Sequence, residues 1–139
     1  MVEEAACRRL ESLGYRIVAR NYRCRLGEID IVARDGSFLV FIEVRYRGKG
    51  SVESPGESLG PRKLERLRRA VRRYLVGYAK EPPAVRVDVC LARPAGGDMP
   101  PGSGSAPGAG GAGVSDAILP VPGLGFVKFE VEKGVLDFG

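Results

Sequence analysis

Gly27-Glu28-Ile29-Asp30-Ile31-Val32-Ala33-Arg34-Asp35-Gly36-Ser37-Phe38-Leu39-Val40-Phe41-Ile42-Glu43-Val44-Arg45 is the stretch on which the fold turns. Two apolar runs flank Asp35-Gly36, a pair that favours a two-residue type I′ turn. The stretch therefore reads as a β-hairpin over 28–34 and 37–46. With Asp35-Gly36 as the turn, Asp30 pairs opposite Phe41. Glu43 then lies one diagonal step away on the same face, about 7–8 Å off. Arg45 joins that face because strand side chains repeat with period two. Ile29, Ile31, Phe38, Val40, Ile42 and Val44 make an apolar opposite face. A three-residue turn would instead move Asp30 away from Glu43 to the other side. Charges in a half-buried strand are costly without a partner or a metal, so Asp30, Glu43 and Arg45 are the residues to explain.

Outward from the hairpin, residues 2–13 read as a helix with Val2, Ala6, Leu10 and Leu13 on one stripe and Gly14 as its stop. Tyr15 to Tyr22 reads as a strand. Residues 48–60, rich in Gly, Ser and Glu, read as a mobile loop. Gly60-Pro61 opens a second helix, whose buried stripe is Leu64, Leu67, Val71, Leu75 and Tyr78, and Pro82-Pro83 closes it. Val85, Val87, Val89 and Leu91 alternate as a fourth strand. Residues 94–117 hold four prolines and eight glycines and bury too little to fold, which makes them a flexible insert. Residues 125–132 alternate again as a last strand. The order is that of an α/β domain with a mixed sheet flanked by helices. Residues 1–93 form its core, 94–117 interrupt it, and 118–139 complete it.

Composition excludes much chemistry. The 139-residue chain has no histidine, which removes Ser-His-Asp and Cys-His catalysis and histidine-ligated zinc together. Cys7, Cys24 and Cys90 are widely spaced and read as reduced thiols. No run approaches the roughly eighteen apolar residues of a membrane span, so no membrane partner is expected. Glu3, Glu4, Arg8, Arg9 and Glu11 interrupt any signal peptide, and a cytoplasmic location is expected. Residues 1–93 carry 20 Lys/Arg against 12 Asp/Glu, a balance of +8; residues 94–139 carry 2 against 5, a balance of −3. The basic N-terminal part suits a polyanion.

Two carboxylates on one strand face, with a cation two residues beyond the second, match a metal-dependent phosphodiesterase. Asp30 and Glu43 would ligate Mg²⁺ or Mn²⁺, and Arg45 would meet charge growing on phosphate. Each residue alone reads more readily as half of a strand ion pair; the three together on one face read as a site. Glu3, beside Leu10 at the edge of the first helix's stripe, is a third carboxylate that either looks toward the hairpin or favours the helix dipole. Lys63 flanks the stripe of the second helix, where it contacts phosphate or lays its stem over the core. Arg62, Arg66, Arg69 and Arg73 cluster on that helix's other side, as a duplex-backbone contact or a solvated face.

Glu3-x-x-Ala6-x-x-x-Leu10, Gly14, Asn21, Gly27-Glu28-Ile29-Asp30, Phe41-Ile42-Glu43-Val44-Arg45-Tyr46-Arg47, Lys63 and Arg86-Val87-Asp88-Val89 together resemble the YraN family. The resemblance covers residues 3–91. It implies a restriction-endonuclease-like (tRNA-endonuclease-like) fold, similar to Holliday-junction resolvases. Asp30, Glu43 and position 45 would be the Asp…Glu-x-Lys core of those nucleases, and Glu3 their helical glutamate. Arg45 stands where lysine is usual, and Lys63 could supply a substitute cation. Arg47 joins the expected nucleic-acid contacts. The implied activity is Mg²⁺-dependent endonucleolytic cleavage of structured, branched DNA rather than RNA, by a homodimer. A catalytically silent nucleic-acid-binding module and an interaction protein are the alternatives.

Overall fold

β-branched and aromatic residues build a single sheet around the hairpin, and two amphipathic helices cover its faces. The computed structural model describes residues 2–48, 50–78, 81, 83–95 and 117–136. In chain order the elements are α1 (Val2–Ser12), β1 (Arg16–Cys24), β2 (Gly27–Asp35), β3 (Phe38–Tyr46), a 3₁₀ turn (Gly56–Ser58), α2 (Pro61–Leu75), β4 (Val85–Pro94), β5 (Ile118–Val121) and β6 (Gly125–Leu136). The expected mixed α/β architecture is present. Six strands lie in the order β1-β2-β3-β4-β6-β5, with β3–β4 parallel and the other pairs antiparallel. A parallel pair needs a crossover, and α2 supplies it.

Alternation along the strands sends one set of residues to each helix. Ala5, Ala6 and Leu10 of α1 pack with Ile31, Val40, Ile42, Cys90 and Phe129. Leu67, Ala70 and Val71 of α2 pack with Ile29, Val32, Leu39, Phe41, Val87 and Val89 on the other face. At Gly27 the sheet and α2 come so close that a Cβ would meet the Arg66 carbonyl oxygen at 3.0 Å. No helix among the described residues is long and apolar enough to cross a membrane.

Several expectations need correction. The hairpin turns at Gly36-Ser37, since Asp35 pairs with Phe38. Gly36 has φ +60 at the first central position, as a type II′ turn requires. Asp35 stays in the strand because Arg86 and Lys133 hold its carboxylate at 2.6 and 3.2 Å. The shift is by an even number, so face assignments survive it, and Asp30 comes opposite Glu43 instead of diagonal to it. Ile29, expected beside Ile31, packs on the α2 side. Helix α2 stops at Leu75, well before the prolines. Strand β5 was not expected. Of the proposed insert, residues 96–116 lie outside the described residues.

The 48–60 stretch, expected to be mobile, is fastened at several points between Ser51 and Ser58. Arg93 donates to the Ser51 and Glu53 carbonyls, Arg47 and Arg45 to the Ser58 carbonyl at 2.8 and 3.3 Å, and Gly56 N–H to Glu132 at 3.0 Å. These partners come from β3 and the residue just past its end, from β4 and from β6, which sequence pattern alone does not place beside the loop.

Candidate functional site

Asp30 and Glu43 sit one step beyond the last rung of the β2–β3 ladder, where Ile31 pairs with Ile42. Asp30 is 9% exposed and Glu43 3%. Beside Asp30, the neighbouring strand carries an unusual backbone conformation. Arg20 pairs with Ile31 and Tyr22 with Ile29, and Asn21 between them has φ +54. Asn is among the few non-glycine residues that tolerate this left-handed conformation. This left-handed residue lies opposite Ile29-Asp30-Ile31, where the alternation is broken: Ile29 packs on the α2 side and Ile31 on the α1 side. The freed Asp30 carboxylate accepts the Val44 backbone N–H at 2.8 Å, in place of a ladder bond.

Glu43 is less well provided for. Its Oε1 meets the Lys63 Nζ at 3.3 Å, while its buried Oε2 has no partner. Burial first, then the adjacent Asp30 carboxylate, push Glu43 up to about 8, against the pull of Lys63. Protonated, Glu43 can share a hydrogen bond with Asp30; ionised, it leaves two negative groups side by side in a dry setting. Such a pair accepts a proton or a cation. Two hard oxygen donors suit Mg²⁺ or Mn²⁺, which retain waters and need few protein ligands. Lys63, 29% exposed at its side chain, reaches the pair from α2.

The other expected site residues are placed as follows. Arg45 is near, yet one of its guanidinium nitrogens bonds to the Ser58 carbonyl and its Nε is buried without a partner. Arg47 bonds the same carbonyl and lies 3.6 Å from Glu53. Both fasten the 3₁₀ turn. Glu3 belongs to α1, on the opposite face, where its charge helps raise the Cys7 thiol after burial has done most of the raising. Among the described residues no group of three His, Cys, Asp or Glu could hold a metal, so Glu3 does not complete a three-acid cluster. Arg62, Arg66, Arg69 and Arg73 are all exposed along α2, with Arg69 3.3 Å from Glu65.

A second polar cluster was not foreseen, although Arg86 and Asp88 were among the motif residues. Asp88, fully buried, accepts from the Tyr15 hydroxyl at 2.6 Å, from Arg86 Nε and Nη2 at 2.9 Å each, and from Gly134 N–H at 3.0 Å. Arg86 also reaches Asp35 and lies over the Phe38 ring at 5.1 Å. Tyr15 and Asp88 are 73 positions apart, so only the fold reveals the contact.

Fold and site together define an α/β protein with a mixed six-stranded sheet, a helix on each face and a buried, incompletely partnered carboxylate pair at its centre. The chain belongs to Uncharacterised protein family UPF0102, the family its motifs resembled, whose profile matches residues 2–92. A UPF0102 protein of Symbiobacterium thermophilum is 46% identical over 92 residues, covering 66% of this chain and 78% of that protein. One from Streptomyces griseus is 47% identical over 88 residues, covering 63% and 74%. Another, from Carboxydothermus hydrogenoformans, is 49% identical over 73 residues, covering 52% and 62%.

Proposed function

We propose that the chain is a restriction-endonuclease-like, metal-dependent endonuclease that cleaves phosphodiester bonds in structured, branched DNA. The observation that carries this reading is the buried Oε2 of Glu43, without a donor, beside Asp30. Asp30 and Glu43 would hold Mg²⁺ or Mn²⁺. When bound, such an ion polarises a phosphoryl oxygen and lowers the pKa of an attacking water. Lys63 is the cation in place to meet charge developing on the phosphate, while Arg45 holds the 3₁₀ turn that walls the site. The exposed arginines of α2 offer a duplex backbone sequence-independent contacts. A homodimer would let two sites act on a branched substrate, and the cytoplasm would keep the free thiols reduced.

The test incubates wild-type protein with end-labelled four-way junctions, forks and blunt duplexes in Mn²⁺ or Mg²⁺. Metal-dependent cleavage that falls by more than about a hundredfold in Asp30→Asn and Glu43→Gln supports the reading. Equal cleavage by all three proteins points to a contaminant and sinks it. A second reading, a silent nucleic-acid-binding module, is favoured by the diversion of Arg45 to Ser58 and the absence of a third acid among the described residues. Binding that weakens steeply with salt, with no cleavage in any metal, selects it.

A further inference from the structure

Strand β1 forms one edge of the sheet and turns back at Arg25-Leu26 beside α2, between Arg66 and Arg73. Two adjoining hollows open there. One, of about 640 Å³, is lined by Tyr22, Arg23, Cys24, Arg25, Leu26 and Arg73. The other, of about 430 Å³, shares Tyr22 and Arg73 and adds Tyr74, Gly77 and Tyr78. Both are within the size range of small-ligand sites.

The first hollow is basic. Glu28 lies 3.6 Å from Arg23, but among the described residues no carboxylate pairs with Arg25 or Arg73. The second is aromatic. Tyr74 stands edge-on to Tyr22 at 5.1 Å and to Phe41 at 5.3 Å, which fixes its ring from both sides. Tyr78 lies past the end of α2, 6.4 Å from Tyr74, tilted by 47° and only half-buried. Guanidiniums alternating with tyrosine rings are the means by which proteins hold single strands: phosphates meet the charges and bases stack on the rings. A duplex, whose bases already stack on each other, cannot use the rings.

The trough also lies within reach of the carboxylate pair. Gly27 is three residues from Asp30, about 10 Å along β2. Arg73 is ten residues from Lys63, about 15 Å along α2. These separations correspond to about three or four nucleotides of a stacked strand. We propose that the trough takes an unpaired strand of nucleic acid, with phosphates on Arg25 and Arg73 and a base stacked on Tyr78. This rests on the nuclease reading only for its sequel: the substrate class becomes a fork or overhang whose single strand is gripped a few nucleotides from the cut.

The test measures fluorescence anisotropy in EDTA, so that no cleavage enters, with labelled oligothymidine and a labelled blunt duplex. Tyr78→Ala should weaken oligothymidine binding about tenfold and leave the duplex within about twofold. Arg25→Ala, at an exposed turn where folding is not at stake, should also weaken oligothymidine. The chain has no tryptophan, so quenching of its tyrosine emission by the strand provides a second reading; it should shrink in Tyr78→Ala. If both variants bind oligothymidine like the wild type, or if Tyr78→Ala weakens strand and duplex alike, the proposal is overturned. Neither result touches cleavage by Asp30 and Glu43, and loss of cleavage would leave this binding intact.

Discussion

Asp88 and Glu43 are both buried acids in adjacent parallel strands of one sheet, and their surroundings differ sharply. Asp88 faces the α1 side and has four donors for two oxygens, from Tyr15, Arg86 twice and Gly134. Glu43 faces α2 and has one lysine at 3.3 Å and a bare Oε2. A buried charge that is fully partnered stabilises one arrangement of the chain, whereas one left short is retained at a cost. Asp88 is satisfied where it lies, while Glu43 is left short of donors, which is what the proposed metal role would require.

The largest expected effect comes from breaking the closed side. Asp88→Ala would strand the Arg86 guanidinium between Tyr15 and Asp35, and should cost about 3–5 kcal/mol in urea denaturation. A loss below about 1 kcal/mol would erase the contrast between the two acids. Glu43→Gln should act with the opposite sign. Because the folded protein holds the Glu43 proton up to about 8, against an ordinary value of 4.5, wild-type stability should decline as pH rises through that window. The glutamine variant lacks this decline and should be more stable near pH 8, by roughly 1–3 kcal/mol. In calorimetry at pH 7, Mn²⁺ should displace close to one proton from the wild type and none from the variant. Asp35 titrates the other way, since the hydrogen bond from Arg86, aided by Lys133, lowers its pKa. Its contribution is present above the usual carboxylate range and fades as pH falls through its folded value. The smallest effect belongs to Arg45→Ala, which should loosen the 3₁₀ turn by about 1 kcal/mol and leave Mn²⁺ affinity unchanged. Loss of metal binding in that variant would return Arg45 to the site itself.

Much of the centre was legible because local rules agreed. The hairpin, the helix stripes and the shared side of Asp30 and Glu43 follow from periodicity, and parity protected that pairing even though the turn moved. What escaped was set by distant partners. Asp35 remains in the strand because of Arg86 and Lys133, which lie 51 and 98 positions away. The assignment of Arg45 to the Ser58 carbonyl, and of Lys63 to Glu43, depends on how the 48–60 stretch folds back. Strand β5 is four residues long and contains a proline, a weak signal for any strand. Asn21 was visible as a motif residue, but its role needed a backbone angle.

The two margins of the sheet carry a consequence for self-association. On one margin β5 is short, and Pro120 offers no N–H to a newcomer. On the other, β1 is dislocated between Ile17 and Ala19, has Asn21 in the left-handed region, and is studded with Arg16, Arg20 and Arg23. Kinks, prolines and positive charge are what deter strands of separate molecules from zipping together. At the described margins, continuation of one sheet across two copies of this chain is therefore disfavoured, and concentrated solutions should resist the ribbon-like stacking to which open sheets are prone.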